Sequence, residues 1–391
     1  MYPRISDIFN DLFGWNIILP IQSFGFFVAL AFIAAYFLLQ ADLKRKQSLG
    51  YFQTRKVKVT RGGPIKETEI LINFLLFGIL GYKLGLMVED YSAFAHNPQE
   101  AILSLKGSLP WGLLLAFAGG GYKFYEFWKK RNDKTETVEE EHGILQELGT
   151  VLTIAFVAGI LGAKIFHNLE YIDDFMADPI GSLFSFSGLT FYGGLICAGV
   201  GIGWYIVKKG YPLLPFADSV APALMLAYGI GRIGCQTAGD GDWGIDNMAP
   251  KPDWMGGLPD WMWAYTYPHN VLNQGIPIEG CTGDYCHALE VPVFPTPFYE
   301  IIMALIIFAG LWMIRKRLPY WGQLSGIYLF FNGVERFLIE KIRVNSTYDI
   351  FGFEITQAEI ISALLMIFGI VLFYFATVKW KKQAKAAKKI S

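Results

Sequence analysis

Long apolar segments, separated by polar stretches, run through the whole chain. Each is close to the roughly 20 residues that an α-helix needs to cross a lipid bilayer. The first is too long, and lacks the small-residue cleavage site, to be a removable signal peptide. The pattern predicts an all-α polytopic integral membrane protein with about nine transmembrane helices. The segments lie at about 17–40, 67–88, 110–128, 146–168, 188–208, 214–234, 297–314, 323–343 and 356–378.

The composition agrees with a membrane protein. Of the 391 residues, 53% are hydrophobic and only 17% are charged, and the mean hydropathy is +0.36. These values exclude a disordered, fibrous or small disulfide-rich protein and argue against a soluble enzyme. The formal net charge of −1 provides no general attraction to nucleic acid, so no nucleic-acid partner is expected.

The connecting loops alternate in charge, and Lys and Arg collect in cytoplasmic loops. Basic groups follow the first, third, fifth and seventh segments and fill the C-terminal tail, whereas the 235–296 loop has eight acidic residues against Lys251 alone. This alternation predicts an N-terminus outside and a C-terminus in the cytoplasm, which requires an odd number of spans. The run Glu139-Glu140-Glu141 is interpreted as a solvated cytoplasmic linker.

Two of the four cysteines lie close together in the predicted outer loop. Cys281 and Cys286 are separated by four residues, and a disulfide is chemically permitted there. Both the bridged and the free state stay open. A zinc site needs more ligands than the nearby His287 can add, so no metal is expected.

The sequence contains an internal repeat. Residues 78–114 match residues 159–195 at a constant offset of 81 without a gap. This register predicts that the second and third spans duplicate the fourth and fifth. The copies differ at Tyr192-Gly193-Gly194, which corresponds to Trp111-Gly112-Leu113, so the first copy is expected to be structural.

Arg232 forms the first candidate site, at the end of the sixth segment. It stands within Gly229-Ile230-Gly231-Arg232-Ile233-Gly234-Cys235 and is followed by Asp240, Asp242 and Gly244. Glycines allow close approach of a lipid headgroup, and a guanidinium suits bidentate phosphate binding. The alternative is an interfacial arginine beside a glycine face that packs against another helix.

Two further places concentrate polar groups where they are costly in a membrane. Arg336, Glu340 and Arg343 follow the i, i+4, i+7 spacing of one helical face, so that Glu340 would hold both arginines, in a polar cavity or in a stabilising ladder. Tyr192, before Gly193 and Gly194, is either an aromatic anchor at headgroup level or a phenol exposed to a cavity.

In this order, the clusters resemble the prolipoprotein diacylglyceryl transferase family, with an extra transmembrane hairpin. The resemblance covers about 17–40 and 146–378. Its motifs are Ile21-Gln22-Ser23-Phe24-Gly25, Phe175-Met176-Ala177-Asp178-Pro179, Gly188-Leu189-Thr190-Phe191-Tyr192-Gly193-Gly194-Leu195-Ile196, Asp218-Ser219-Val220-Ala221-Pro222, Gly229 to Gly234, Pro295-Thr296-Pro297-Phe298-Tyr299-Glu300, Ser325-Gly326, and Arg336-Phe337 with Glu340 and Arg343.

The resemblance implies an enzyme of the bacterial cytoplasmic (inner) membrane that transfers diacylglyceryl from phosphatidylglycerol to the lipobox cysteine of prolipoproteins. The implied partners are phosphatidylglycerol, prolipoprotein signal peptides and membrane lipid, and no cofactor is expected. Arg232 matches the family's phosphatidylglycerol-binding arginine, and Arg336 matches its second essential arginine. The catalytic candidates are Arg336, Glu340, Tyr192 and Asp240. The substrate-binding candidates are Arg232, Arg343, Gly193, Gly194, Gly231, Gly234 and Gly244.

Four positions depart from the family pattern. Tyr192 replaces the usual histidine and Cys235 an asparagine, while Asn332 and Phe24 replace tyrosines. These departures leave the general base open among Glu340, Tyr192 and Asp240. A membrane transporter and a non-catalytic lipid-binding scaffold remain the alternative functions.

The expected organisation follows the same motifs. The chain divides into an outer N-terminus with the first span, an added basic loop with a hairpin and charged linker, a core of spans 4–6, an outer loop, a core of spans 7–9 and a basic tail. The corresponding ranges are 1–40, 41–145, 146–234, 235–296, 297–378 and 379–391.

Overall fold

A computed structural model gives the fold of the chain. It describes residues 1–15, 17–62, 65–91, 94, 104–184, 190–345, 347–350 and 353–390. Gly188 and Leu189 of the Tyr192 motif lie outside the described residues, as do Pro98 and Ser185 of the repeat.

Nine helices of 18 or more residues occur in the described part of the chain, one at each apolar segment. They are α2 (Ser23–Ser48), α3 (Glu67–Glu89), α4 (Leu109–Lys130), α5 (Leu148–Glu170), α8 (Phe191–Lys208), α9 (Leu213–Ala238), α10 (Thr296–Ile314), α11 (Gln323–Glu340) and α12 (Gln357–Ile390). Six of them, namely α2, α3, α5, α9, α10 and α12, are long and apolar enough to cross a membrane. The chain is therefore a polytopic, mainly helical membrane protein.

Shorter elements connect these helices. The described residues include three short α-helices, namely α1 (Ile5–Phe13), α6 (Ile172–Ala177) and α7 (Pro179–Phe184). They also include three antiparallel strand pairs, which join β1 (Arg55–Gly62) to β2 (Thr135–His142), β3 (Ile276–Pro277) to β4 (His287–Ala288), and β5 (Thr347–Ile350) to β6 (Phe353–Thr356). The first long helix begins at Ser23 rather than at residue 17, because α1 and a loop occupy the preceding residues.

The run Glu139-Glu140-Glu141, predicted to be a solvated linker, is mostly exposed between α4 and α5 but has regular structure. These residues belong to β2, whose acidic side chains lie opposite the basic side chains of β1. The register pairs Lys56 with Glu141 and Lys58 with Glu139. Opposite charges across an antiparallel pair each contribute roughly 0.2–1 kcal/mol. The two strands therefore close the base of the α3–α4 hairpin with a charged ribbon.

The α3–α4 and α5–α8 hairpins pack in a similar way, but their second helices are displaced by one residue from the register of the repeat. The Tyr82 carbonyl accepts the Ser108 N–H at 2.9 Å, whereas the equivalent Ala163 carbonyl accepts the Thr190 N–H at 3.1 Å, one residue beyond the equivalent of Ser108. A glycine lies against the partner helix backbone at the same repeat position of the first helix, Gly81 in one hairpin and Gly162 in the other. The duplication of the hairpin stays a prediction.

Asp218 locks α9 onto the start of α11. Its carboxylate accepts the backbone N–H groups of Gly322 and Ser325 at 2.7 and 2.8 Å and the Ser325 hydroxyl at 2.7 Å. These N–H groups have no partner within the helix, so a buried carboxylate here caps α11 and favours its dipole. This contact fixes the register of two helices that carry candidate site residues.

The 239–295 loop covers the opposite end of α9. It is tied internally by β3–β4 and by a disulfide between Cys281 and Cys286, whose Cα atoms are 5.6 Å apart. Backbone bridges link Asp246 and Tyr265 to Val293. The loop is therefore an ordered cover, and the bridged state of the two cysteines is the one found.

We expect Gly162→Ala to destabilise the α5–α8 hairpin by about 1–3 kcal/mol, the range for overpacking a tight contact. A Cβ at residue 162 would lie 2.5 Å from both the Gly193 carbonyl oxygen and the Cys197 Cβ. Gly159→Ala is the matched control, because a Cβ there meets nothing within 4 Å. Unfolding in detergent measures both, and equal stability of the two variants would contradict this packing.

Candidate functional site

Arg232 lies in the last two turns of α9, beneath the 239–295 loop. Its guanidinium forms salt bridges with Asp242 of the loop and with Glu300 in the first turns of α10. The guanidinium carbon also lies 5.1 Å from the ring centre of Tyr228, one helical turn earlier. Arg232 therefore joins two helices and the loop, instead of only extending toward an interface.

Arg343 binds the same two carboxylates. It forms a salt bridge with Asp242, and its Nη1 lies 3.4 Å from Glu300 Oε1. The two arginines and the two carboxylates thus form a closed ring of four charged groups. Glu300 is fully buried, while Asp242 keeps 30% of its side chain exposed. Asp242 is therefore the member of the ring that a ligand reaches most easily.

The expectation that Glu340 holds both Arg336 and Arg343 is wrong. The helix α11 ends at Glu340, and the following turn takes Arg343 off the i, i+4, i+7 stripe. Glu340 Oε2 instead lies 2.9 Å from Arg336 Nη2, and Asn345 donates to Glu340 Oε1 at 2.6 Å. One carboxylate therefore fixes Arg336 and the chain after the helix.

Gly244 allows the loop to reach Arg343. The two residues form an isolated backbone bridge, and the Gly244 N–H donates to the Phe294 carbonyl at 2.8 Å. A Cβ at this position would overlap the Ile342 carbonyl oxygen. Because glycine has no side chain, it alone allows the loop backbone to come this close to the backbone at Ile342 without a shift.

Asp240 and Asp242 occupy different electrostatic environments. Burial raises the pKa of Asp240, and the neighbouring charge of Asp242 raises it further. For Asp242 burial acts in the same direction, but Arg232 and Arg343 outweigh it and hold its pKa below the usual range. Asp242 is therefore the more easily ionised of the two carboxyl groups, and Asp240 takes up a proton more readily.

Arg336 and Tyr192 lie close enough to interact electrostatically. Glu300 and Tyr228 are also within electrostatic range of Arg336. Because Arg336 is mostly buried, with 17% of its side chain exposed, these interactions are weakly screened. The third arginine therefore belongs to the same polar region as the ring, together with Tyr192 of α8.

The candidate glycines divide into two groups. A Cβ would overlap Phe166 of α5 at residue 193, and it would lie 2.8 Å from the Gly159 carbonyl at residue 194 and 3.1 Å from Phe27 at residue 234. These three glycines serve close helix packing, which was the alternative for the Arg232 segment. At Gly231 a Cβ meets nothing within 4 Å, so this glycine faces open space.

Three residues of the site were absent from the predicted set. Glu300 was noticed as part of a motif, but its contacts with both arginines were not foreseen. Tyr228 and Glu335 were not singled out, although Tyr228 precedes Arg232 by four residues and Glu335 directly precedes Arg336. A search for every acid and phenol within one turn of an intramembrane arginine would have found them.

A further cluster brings together potential metal ligands. One ligand atom each from Cys235, Asp240 and Asp242 lies within 4.8 Å of the others. Both oxygens of Asp242 are already engaged by Arg232 and Arg343. Two guanidinium charges at the same carboxylate oppose a cation, so this donor set suits anion binding by the arginines better than metal binding.

Comparison with known proteins identifies relatives of the chain. A model of the prolipoprotein diacylglyceryl transferase family matches residues 111–375. Its match begins inside α4 and thus includes part of the segment assigned above to the added hairpin.

Two relatives named phosphatidylglycerol–prolipoprotein diacylglyceryl transferase have nearly the same sequence identity to this chain. The chain is 31% identical over 229 residues to the protein of Corynebacterium efficiens, covering 56% of this chain and 65% of the relative. It is 30% identical over 250 residues to that of Vibrio vulnificus strain YJ016, covering 62% of this chain and 80% of the relative. The chain thus spans slightly less than two thirds of the corynebacterial relative.

We expect Glu300→Gln to lower the free energy of unfolding by about 3 kcal/mol, because removing one partner of a buried ion pair leaves the others uncompensated. Both arginines would then share Asp242 alone. Glu279→Gln, at an exposed position of the loop, is the control. Unfolding in detergent micelles measures both, and equal stability of the two would show that the ring is not a stabilising unit.

Proposed function

Because the chain belongs to the prolipoprotein diacylglyceryl transferase family, we propose that it transfers diacylglyceryl from phosphatidylglycerol to the lipobox cysteine of prolipoproteins. The observation that carries this proposal is the convergence of Arg232, Arg343 and Arg336 on one mostly buried polar region. Guanidinium groups bind phosphate through paired N–H donors, and their charge counts most where water is excluded.

The arginines act as the phosphate-binding group. Arg232 and Arg343 are held in place by Glu300, which is fully buried, and Asp242 of the loop, whose side chain is partly exposed, accepts from one further nitrogen of each arginine. The phosphate of phosphatidylglycerol replaces Asp242 on these donors, since both are anions and Asp242 is the accessible one. Arg336 adds a third positive charge to the region where negative charge grows during the reaction.

The chemical step breaks the bond between the glycerol carbon of the diacylglyceryl group and the phosphate oxygen. The thiol loses its proton, the sulfur forms a bond with that carbon, and the electron pair of the broken bond stays on the phosphate oxygen. Glycerol phosphate then leaves with one more negative charge than the phosphate carried in the lipid. The proposed catalytic residues are Arg336, Glu340, Tyr192 and Asp240, and the proposed binding residues are Arg232, Arg343, Gly231 and Gly244. Gly193, Gly194 and Gly234 are assigned to helix packing instead of to substrate binding.

The topology is part of the proposal. All nine long helices cross the bacterial cytoplasmic membrane, with the N-terminus and the 239–295 loop outside and the C-terminus in the cytoplasm. The positions of Lys and Arg support this orientation. Labelling of single cysteines at residues 257 and 388 with a membrane-impermeant reagent tests it: labelling at 257 and protection at 388 are expected, and the reverse pattern would refute it.

The division of the chain follows from the same placement. The core comprises 1–40, 146–234 and 297–378 with the 235–296 loop, and the 379–391 tail follows it. Residues 41–145 form an addition whose ends are joined by the β1–β2 ribbon. In the described residues, α3 and α4 pack mainly against each other, which suits an appended unit.

We expect Arg232→Ala and Arg336→Ala to lower thioether formation by at least about 100-fold, the scale for losing one group that stabilises a developing anion. The assay incubates reconstituted protein with phosphatidylglycerol and a lipobox peptide and detects the modified peptide by mass spectrometry. Arg131→Ala, in the turn after α4, is the control and should retain wild-type activity.

The same assay separates the alternatives. A transporter or lipid-binding scaffold would move or bind phosphatidylglycerol without modifying the peptide. Wild-type activity of either arginine variant would show that the arginine concerned does not have the proposed role.

A further inference from the structure

Tyr228 and Glu335 form a pair that the arginine ring does not require. The Tyr228 hydroxyl lies 2.7 Å from Glu300 Oε2 and 3.2 Å from Glu335 Oε1. The three residues belong to α9, α10 and α11, so their contact joins three helices. Glu300 is fully buried and Glu335 is 2% exposed, so water does not replace these contacts.

The carboxyl groups of Glu300 and Glu335 differ in their positively charged partners. Glu300 binds Arg232 and Arg343, whereas no salt bridge to Glu335 occurs among the described residues. Its Oε2 is buried, and no hydrogen-bond donor reaches it within the part of the chain that the structure describes. Buried polar atoms are nearly always paired, and an exception needs an explanation. Glu335 therefore has one oxygen, Oε1, beside the Tyr228 hydroxyl and a second, Oε2, that no donor occupies, so the carboxyl group can receive a proton at Oε1.

Charged groups of three helices surround Glu335. Arg232 on α9, Glu300 on α10 and Arg336 on α11 are all within electrostatic range of it. Glu359 on α12 is engaged by Lys341, and Glu340 is engaged by Arg336 and Asn345. Among the described carboxyl groups on α10, α11 and α12, Glu335 is therefore the one that forms no salt bridge.

The pair is also close to the groups that hold the phosphate. The Tyr228 ring lies under the Arg232 guanidinium, at 5.1 Å from its central carbon. A thiol that attacks the carbon next to an Arg232-bound phosphate therefore approaches the Tyr228 hydroxyl. Rotation of that hydroxyl about its C–O bond turns its hydrogen from Glu300 toward Glu335.

We propose, on the basis of the function proposed above, that Glu335 accepts the proton of the substrate thiol through the Tyr228 hydroxyl. The thiol proton moves to Tyr228 Oη while the Tyr228 proton moves to Glu335 Oε1. The sulfur lone pair forms the bond to the glycerol carbon, and the electrons of the broken carbon–oxygen bond remain on the leaving phosphate. Glu335 holds the proton until it passes to the departing glycerol phosphate or to water.

The test measures kcat and KM of Glu335→Gln and Tyr228→Phe across pH in proteoliposomes with phosphatidylglycerol and a lipobox peptide. At neutral pH, kcat should fall by about 100-fold or more, the usual contribution of a general base, with an unchanged KM for phosphatidylglycerol. The loss should shrink above about pH 8.5, where the thiol ionises without help. Glu335→Asp should restore part of the activity, because it keeps a carboxyl group.

Glu359→Gln is the control, since it removes a buried carboxyl group of α12 that contacts Lys341 instead of the site. The relay is overturned if Glu335→Gln and Tyr228→Phe keep wild-type kcat at neutral pH, or if their loss is the same at every pH. If Glu335→Gln does not fold, Tyr228→Phe decides alone. Absence of product from the wild-type protein would refute the proposed function itself, which distinguishes the two failures.

Discussion

The ring of Arg232, Asp242, Arg343 and Glu300 is the interaction on which the rest of the structure depends. Two guanidinium groups in a mostly apolar bundle are costly unless anions compensate them, and isolated buried charges cost several kcal/mol even after relaxation. Glu300 provides the permanent, fully buried compensation, and Asp242 provides a second charge from a partly exposed loop. In the proposed function, the resting site therefore already contains an anion at the place where the phosphate binds.

This arrangement explains why the loop and the helix ends are built as they are. Arg343 leaves the α11 stripe because the helix ends at Glu340, and the bridge to Gly244 brings the loop against it. The Asp218 cap joins α9 and α11 at their other ends, which fixes the register of the two helices that carry Arg232 and Arg336. The loop carrying Asp242 is held by backbone bridges and by one disulfide, which leaves its acidic residue ordered but reachable.

The helices were predictable from the sequence, and the partners of their charged residues were not. A run of 18 to 26 apolar residues has one stable conformation in lipid, so each long helix appears where the hydropathy places it. Opposite charges 81 positions apart, such as Lys58 and Glu139, give no local signal of pairing, and β1 and β2 were therefore missed. The end of a helix depends on a few contacts. The prediction that Arg343 shares a helical face with Arg336 and Glu340 was wrong for this reason.

The candidate site shows the same limit. Arg232, Arg336 and Glu340 were found because a charge inside an apolar segment is visible in the sequence alone. Tyr228 and Glu335 were not found, because their role depends on a contact between α9, α10 and α11 that no residue spacing in the sequence indicates. Gly193, Gly194 and Gly234 were predicted to bind substrate, but the structure explains them by helix packing. The sequence could not separate the two roles, because both the close approach of a helix and the close approach of a ligand favour a residue without a side chain.

The most direct measurement uses phosphatidylglycerol labelled with ¹⁸O at the oxygen that joins the diacylglyceryl carbon to phosphorus. After reaction with a lipobox peptide, the account predicts that all of the label is in the released glycerol phosphate and that the peptide carries a thioether. Thiolate attack on carbon with the phosphate held by the arginines permits no other distribution. Label retained in a lipid product, or an unmodified peptide, would contradict the account.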